Sequence, residues 1–273
     1  MTKIKELEQL FFKVLHDLEQ YLPYLVLVGG WVPYLYVKYL WKNLSIYPVT
    51  TTDIDFGFSG SDCAPSVNEP IYHKLSKLRY KEWHLKMDRL FPIVPILENA
   101  GGASKLLIEF LTTHDVKQSY IESLVGRQIY VNRLDKFDIL LRDSIEIQLV
   151  NREVSPFLSF SVNIPPPHIF LFHKAITFVD RENQEKKSKD VYYIYYVLRF
   201  HPQKESLFND LRKLKLHKEK EQVVANLRKF FSRLTGQGCI MVEEENGPDD
   251  FIDDVRKDAF DRFQELIDVC ERS

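Results

Sequence analysis

The stretch Leu25–Phe58, LVLVGGWVPYLYVKYLWKNLSIYPVTTTDIDFGF, admits few folds. Leu25 to Val28 is a short run that is apolar on both faces, as a central buried strand is. Gly29-Gly30 turns the chain, and Trp31 to Trp41 reads as a helix in which Pro33 is tolerated because it lies in the first turn. Asn43 to Thr51 connects, and Thr52 to Phe58 alternates as a second strand. A strand, a glycine turn, a helix and a strand require a sheet with helices packed on it.

The two ends of that stretch carry the candidate chemistry. Alternate residues of a strand share a face, so Asp53 and Asp55 point the same way, their Cα atoms about 6.5–7 Å apart. Ile54, Phe56 and Phe58 take the opposite face. Aspartate is disfavoured in strands, and two on one face repel unless a cation lies between them. A polar turn over Thr51, Thr52 and Asp53 with a merely exposed Asp55 is the plainer alternative. Gly29-Gly30 lets backbone approach a ligand closely, and the helix that follows directs N–H groups at it. An ordinary tight turn would use the same glycines. No GK[ST] follows, which excludes a Walker loop, and no third glycine stands at the offset of a dinucleotide fingerprint.

Glu109 is the third carboxylate. In Lys105–Leu111 (KLLIEFL), read as a strand, it shares a face with Leu107 and Leu111 while Leu106, Ile108 and Phe110 fill the other. A carboxylate on an apolar strand face protonates, finds a cation or reaches water at a strand end. If this strand lies beside the one bearing Asp53 and Asp55, the three carboxylates form a nest of hard oxygen ligands suited to Mg²⁺.

The rest of the chain falls into two halves. Residues 2–22 form an amphipathic helix, 68–90 a second helix, and Ile93–Leu97 and Ser144–Val150 strands, with more strands or hairpins over Gln128–Val150. Pro165-Pro166-Pro167 is stiff punctuation. After it helices are expected at His168–Asp180, Lys189–Phe200, Leu207–Leu234 and Phe251–Glu271. The chain is therefore divided into an α/β catalytic domain, 1–164, and a helical domain, 165–273, that closes the cleft. Within the helical half, Asp190 is either a first-turn carboxylate satisfying the helix dipole or, through its stripe neighbours Ile194 and Val197, a partner for Lys174 or Arg181. Arg199–Arg233 holds ten Lys/Arg against four Asp/Glu, and residues 240–273 hold twelve Asp/Glu against four Lys/Arg. Such runs are either a nucleic-acid face or solvated faces that pair with one another.

The block GG–W…TTDIDF with a later carboxylate strand resembles the core of the nucleotidyltransferase superfamily, the polymerase-beta-like fold. Lys174-Ala175, then Arg181, then Lys189-Asp190-Val191-Tyr192-Tyr193-Ile194 is similar to the motifs of the AbiEii-type nucleotidyltransferase toxins, with Tyr193 where that group commonly has a second Asp. The likeness spans roughly residues 25–200. It implies an α+β fold, a mixed β-sheet flanked by helices with a helical C-terminal half. It implies transfer of a nucleoside monophosphate from a nucleoside triphosphate to a hydroxyl. Asp53, Asp55 and Glu109 would hold Mg²⁺ (or Mn²⁺), with Glu109 helping to deprotonate or orient the acceptor. Gly29 and Gly30 would cradle the triphosphate, Lys174 would neutralise phosphate charge, and Asp190 would orient Lys174 or the acceptor. The acceptor expected from the toxin likeness is an RNA or tRNA end docked on Arg199–Arg233, with an antitoxin protein as a partner. The alternatives are a small-molecule nucleotidyltransferase of the antibiotic-modifying kind and a non-catalytic nucleotide-binding module.

Composition bounds these readings. With 273 residues, 45% of them hydrophobic, the chain has ample material for a core, and a formal charge of −2 gives no global case for nucleic acid. Cys63, Cys239 and Cys270 are too scattered for a zinc site or disulfide framework, which points to reduced thiols in the cytoplasm. No apolar run is long enough to span a membrane, and none is expected to.

Overall fold

The computed structural model describes residues 3–43, 45–46, 49, 51–61, 63–85, 89–93, 106–150, 159–246 and 254–272, the side chains of 3–4 and 81–93 excepted. Residues 94–97 of the strand expected at Ile93–Leu97, Lys105, parts of the 43–51 connection, Asp62 and residues 251–253 lie outside the described residues. The chain divides into two compact units, Met1–Leu35 with Pro48–Pro165, and Tyr36–Tyr47 with Pro166–Ser273. Residues 36–47 thus group with the helical half, which a single boundary near 164 does not describe.

In the first unit, α1 (Lys3–Asp17) buries Leu7, Phe11, Val14 and Leu15, the helical stripe read in the sequence. It ends at Asp17, and a 3-10 segment, Glu19–Tyr24, accommodates Pro23. There follow β1 (Val26–Val28), α2 (Trp31–Leu35) and β2 (Asp53–Phe58). The helix expected over 31–41 is α-helical for one turn only and continues as a π-helical segment, Tyr36–Leu40. Next come α3 (Ile71–Lys77), β3 (Lys81–Leu85), β4 (Arg89–Ile93) and β5 (Leu107–Thr112). The single helix expected at 68–90 therefore stops near Lys77. Arg79 takes a left-handed conformation (φ 60°) that ends the helix, and the chain enters an antiparallel hairpin. The unit is completed by α4 (Gln118–Leu124), β6 (Val131–Arg133), α5 (Phe137–Leu141), β7 (Ile145–Val150) and β8 (Ser159–Ile164). The last of these strands is not singled out by the sequence reading.

These strands form one mixed sheet in the order β3-β4-β5-β2-β1-β8-β7, with β6 alongside β5. Strand β2 runs parallel to β5 and antiparallel to β1, which runs parallel to β8. The apolar residues of β2 and β5 meet on one face, where Ile54, Phe56, Phe58, Ile108 and Phe110 are buried and the Phe56 and Phe110 rings stack at 5.9 Å. The fold is α+β, a mixed sheet flanked by helices, with a helical C-terminal half.

That half contains α6 (Pro167–Thr177), α7 (Gln184–Phe200), α8 (Lys204–Lys213), α9 (His217–Phe230), α10 (Gln237–Glu245) and α11 (Val255–Glu271). Pro167 occupies the first turn of α6, where a missing N–H costs nothing. Asn183 caps α7, its Oδ1 accepting from Lys186 N at 3.0 Å, so the helix starts before the Lys189 expected from the sequence. Asp190 consequently lies well inside α7 rather than in its first turn. The long helix expected over 207–234 is two, because Leu214 and Leu216 leave helical backbone without a glycine or proline to mark the break.

Candidate functional site

Strand register assembles the carboxylates. Asp55 stands opposite Glu109 across the parallel β2–β5 ladder, and Asp53 stands opposite Leu107. Neighbouring strands lie about 4.8 Å apart, and residues in register point to the same face. Asp53, Asp55 and Glu109 therefore share one face, each half-buried, while the alternate residues fill the core. The ladder is pinned at both ends. Leu107 N donates to Thr52 O at 3.0 Å, and Thr112 Oγ1 donates to Phe58 O at 2.7 Å. Beyond Asp55 the face closes, since a Cβ on Gly57 would meet Phe137 Cζ of α5 at 2.8 Å. The open part of the face is thus the part that carries the acids.

The glycine turn lies against the same point. Strand β1 is antiparallel to β2, and Val28 pairs with Asp55, so the chain leaves β1 beside the second aspartate. Gly29 has φ +72°, and a Cβ there would fall 1.8 Å from Asp55 Oδ2. Both the conformation and the space demand glycine. The neighbouring Trp31 is fully buried and stacks on Phe11 of α1 with ring centroids 4.3 Å apart, anchoring the turn to the core. With only one α-helical turn following, the turn's value to a ligand is close backbone approach more than a helix dipole.

The donor set of three carboxylates on two adjacent strands suits a hard divalent cation. Among the described residues, however, no three His, Cys, Asp or Glu side chains are gathered at metal-holding distance. Register brings the three carboxylates to one face of the sheet.

The helical unit holds the other two sequence-derived candidates. Lys174 of α6 and Asp190 of α7 are both buried and bonded to one another, Lys174 Nζ to Asp190 Oδ1. Arg181 Nε donates to Asp190 Oδ2 at 2.8 Å, so a single carboxylate takes a cation on each oxygen. The Lys174 ammonium also lies over the Phe170 and Tyr193 rings, 5.8 and 5.7 Å from their centroids. Burial is the largest influence on Asp190 and pushes its pKa up. The combined attraction and hydrogen bonds of Lys174 and Arg181 outweigh it and hold the carboxyl below its ordinary value. Tyr193, where the toxin likeness has an acid, contributes an aromatic face to the lysine instead.

The basic stretch divides. Lys213, Lys215 and Lys218 are exposed, but Lys220 is buried and donates to Arg212 O at 3.0 Å; burial lowers its ammonium pKa. Other cations pair with the acidic tail, Lys204 with Glu265 and Arg228 with Glu271. Part of the opposed charge read in the sequence is therefore helix-to-helix pairing. No disulfide joins the three cysteines, and no helix of the described residues is long and apolar enough to cross a membrane.

Comparison with known proteins places this chain in a class. The nucleotidyltransferase family matches residues 12–215, which contain β2, β5, Lys174 and Asp190, and the chain belongs to that family. Among solved structures it is similar to an antigenic nucleotidyltransferase-like protein from Paracoccidioides brasiliensis, at 13% identity and a TM-score of 0.40, covering 77% of this chain and 88% of that one. A likeness of that size carries no argument about function. Comparison with curated proteins gives no match.

Proposed function

We propose that the chain transfers a nucleoside monophosphate from a nucleoside triphosphate to a hydroxyl acceptor, releasing pyrophosphate, with Mg²⁺ or Mn²⁺ held by Asp53, Asp55 and Glu109. The observation that carries this reading is the register Asp55↔Glu109 beside a Gly29 with no room for a side chain. A divalent cation at these oxygens supplies charge stabilisation for the attacking and leaving oxygens of an in-line displacement. Asp53 and Asp55 bind, and Glu109 accepts or orients the proton of the acceptor hydroxyl. Gly29 and Gly30 let the triphosphate lie against backbone. In the helical half, Asp190 positions the Lys174 ammonium, the cation assigned to phosphate.

The acceptor proposed is an RNA end, such as that of a tRNA, in the manner of the AbiEii-type toxins, with a cognate antitoxin as partner and the cytoplasm as the compartment. Exposed Lys213, Lys215 and Lys218 support it as a docking face. Incubation of the protein with each labelled nucleoside triphosphate, Mg²⁺ and total RNA is the test. Label is expected in RNA, and its appearance only in small molecules would replace the acceptor with the antibiotic-modifying type. Nucleotide binding without Mg²⁺ and without turnover would remove the enzyme reading altogether. Replacing all three lysines by alanine is expected to weaken RNA binding and lower the slope of log affinity against log salt by about 2.

A further inference from the structure

Lys174, Asp190 and Arg181 form one charged trio, but its members differ in access. The side chains of Lys174 and Asp190 are 8% and 5% exposed, whereas that of Arg181 is 43% exposed. The Lys174 ammonium is taken up by Asp190 and lies over the Phe170 and Tyr193 rings. Two cations against one carboxylate leave a net charge of +1 on the trio. Lys174 balances Asp190 within the core, so the surplus charge stands on the member that reaches solvent.

The way Arg181 is held suits it to an anionic ligand. An unanchored surface arginine samples many rotamers and loses that freedom when it binds. Arg181 is instead bonded through Nε to the buried Asp190 Oδ2, at 2.8 Å. That bond uses the Nε edge of the planar guanidinium. The edge between the two Nη atoms is the fork that meets a phosphate two oxygens at a time. The anchor is present at neutral pH, because Lys174 and Arg181 together outweigh burial and keep Asp190 ionised. Lys186 and Lys187 stand four and three residues before Asp190, on the same face of α7, exposed and half-buried respectively. Glu185 is paired with Lys189 at 2.6 Å.

We infer that Arg181 is the member of this trio that contacts the phosphates of the nucleotide donor, with Asp190 as its anchor and Lys174 as the charge behind it. The inference rests on the nucleoside triphosphate donor proposed above and assigns the contact to the exposed cation. Arg181 is then a specific phosphate ligand and not only a counterion of Asp190.

The test is calorimetric titration of the full chain with inorganic tripolyphosphate, in EDTA so that no metal bridges the ligand to the sheet carboxylates. Arg181→Ala and Arg181→Lys are each expected to raise Kd about tenfold. Arg181→Lys keeps a cation for Asp190 and loses the fork, so it is expected to melt with the wild type; a purely structural role would leave its Kd unmoved. Wild-type affinity in both variants overturns the contact and leaves the triphosphate donor standing. A wild type that binds no tripolyphosphate overturns the contact as well. A single-stranded RNA without a 5′-triphosphate that loses affinity in both variants, while tripolyphosphate does not, overturns it in favour of the acceptor's backbone. Loss of tripolyphosphate binding in the variants, beside a wild type that transfers no labelled nucleotide, supports the phosphate contact and strikes the donor reading alone.

Discussion

On the sheet of the first unit, Asp53, Asp55 and Glu109 share a face, and their register partners are Val28, Leu107 and each other. In the helical unit, Asp190 is buried with Lys174 on one oxygen and Arg181 on the other. The first arrangement gathers like charges, half-exposed, beside a backbone turn with no side chain. The second closes its electrostatics internally, one anion against two cations and two aromatic faces. Like charges held together by strand register cost stability and make sense as ligands for something positive. A closed buried network rigidifies the helices that bear it, and breaking it leaves an uncompensated charge. Mutation of the first set should therefore remove activity and spare the fold, and mutation of the second should cost stability as well as activity.

The largest effect tests the first half of that contrast. Asp53→Asn or Asp55→Asn is expected to lower divalent-dependent nucleotidyl transfer by about a thousandfold, with a melting temperature equal to or above that of the wild type. Full transfer in both variants would sink the metal assignment. Asp190→Ala is the converse case. It strands Lys174 among Phe170 and Tyr193 and is expected to cost about 3 kcal/mol of stability, read as a shift of the urea midpoint. An unchanged midpoint would show that the network does not brace the helices.

Gly29→Ala falls between the two classes. Left-handed backbone costs an alanine about 1–2 kcal/mol, and its Cβ would displace the Asp55 carboxylate. Transfer is expected to fall about a hundredfold. Gly29→Asn separates the causes, because asparagine tolerates positive φ yet still carries a Cβ. It should regain stability without regaining activity.

The acid limb of the stability curve gives a smaller effect with a definite sign. Asp190 has a folded pKa below its unfolded one, so its contribution is fully present above the unfolded value, about 3.9, and is lost as pH falls through the folded value. Urea midpoints measured from pH 6 downward should drop in the wild type below about pH 4 and drop less steeply in Asp190→Asn. Smallest of all is Arg181→Ala. The Arg181 side chain is 43% exposed, and solvent screening reduces its pairing to about 1 kcal/mol. A loss as large as that of Asp190→Ala would make Arg181, rather than Lys174, the principal counterion.

Much of the candidate site was legible because it follows from short-range rules. Period-two alternation places Asp53 and Asp55 on one face and Phe56 on the other, and the Ile194–Val197 stripe turns Asp190 inward. Less of the fold was legible where no residue type marks the event. The hairpin after Lys77, the break at Leu214–Leu216 and the strand Ser159–Ile164 depend on pairing and packing with distant segments, and no glycine or proline announces the first two.

The sequence by itself determined the strand–glycine–helix–strand unit and the three acids proposed as its metal ligands, because backbone period and glycine's freedom are local properties. Only the tertiary structure decided that Asp55 stands opposite Glu109, that its carboxylate fills the space a Gly29 side chain would need, and that Lys174 and Arg181 converge on Asp190. Strand order and helix packing bring together residues tens of positions apart, and the free energy that selects them is the burial of whole faces, a sum no local pattern carries.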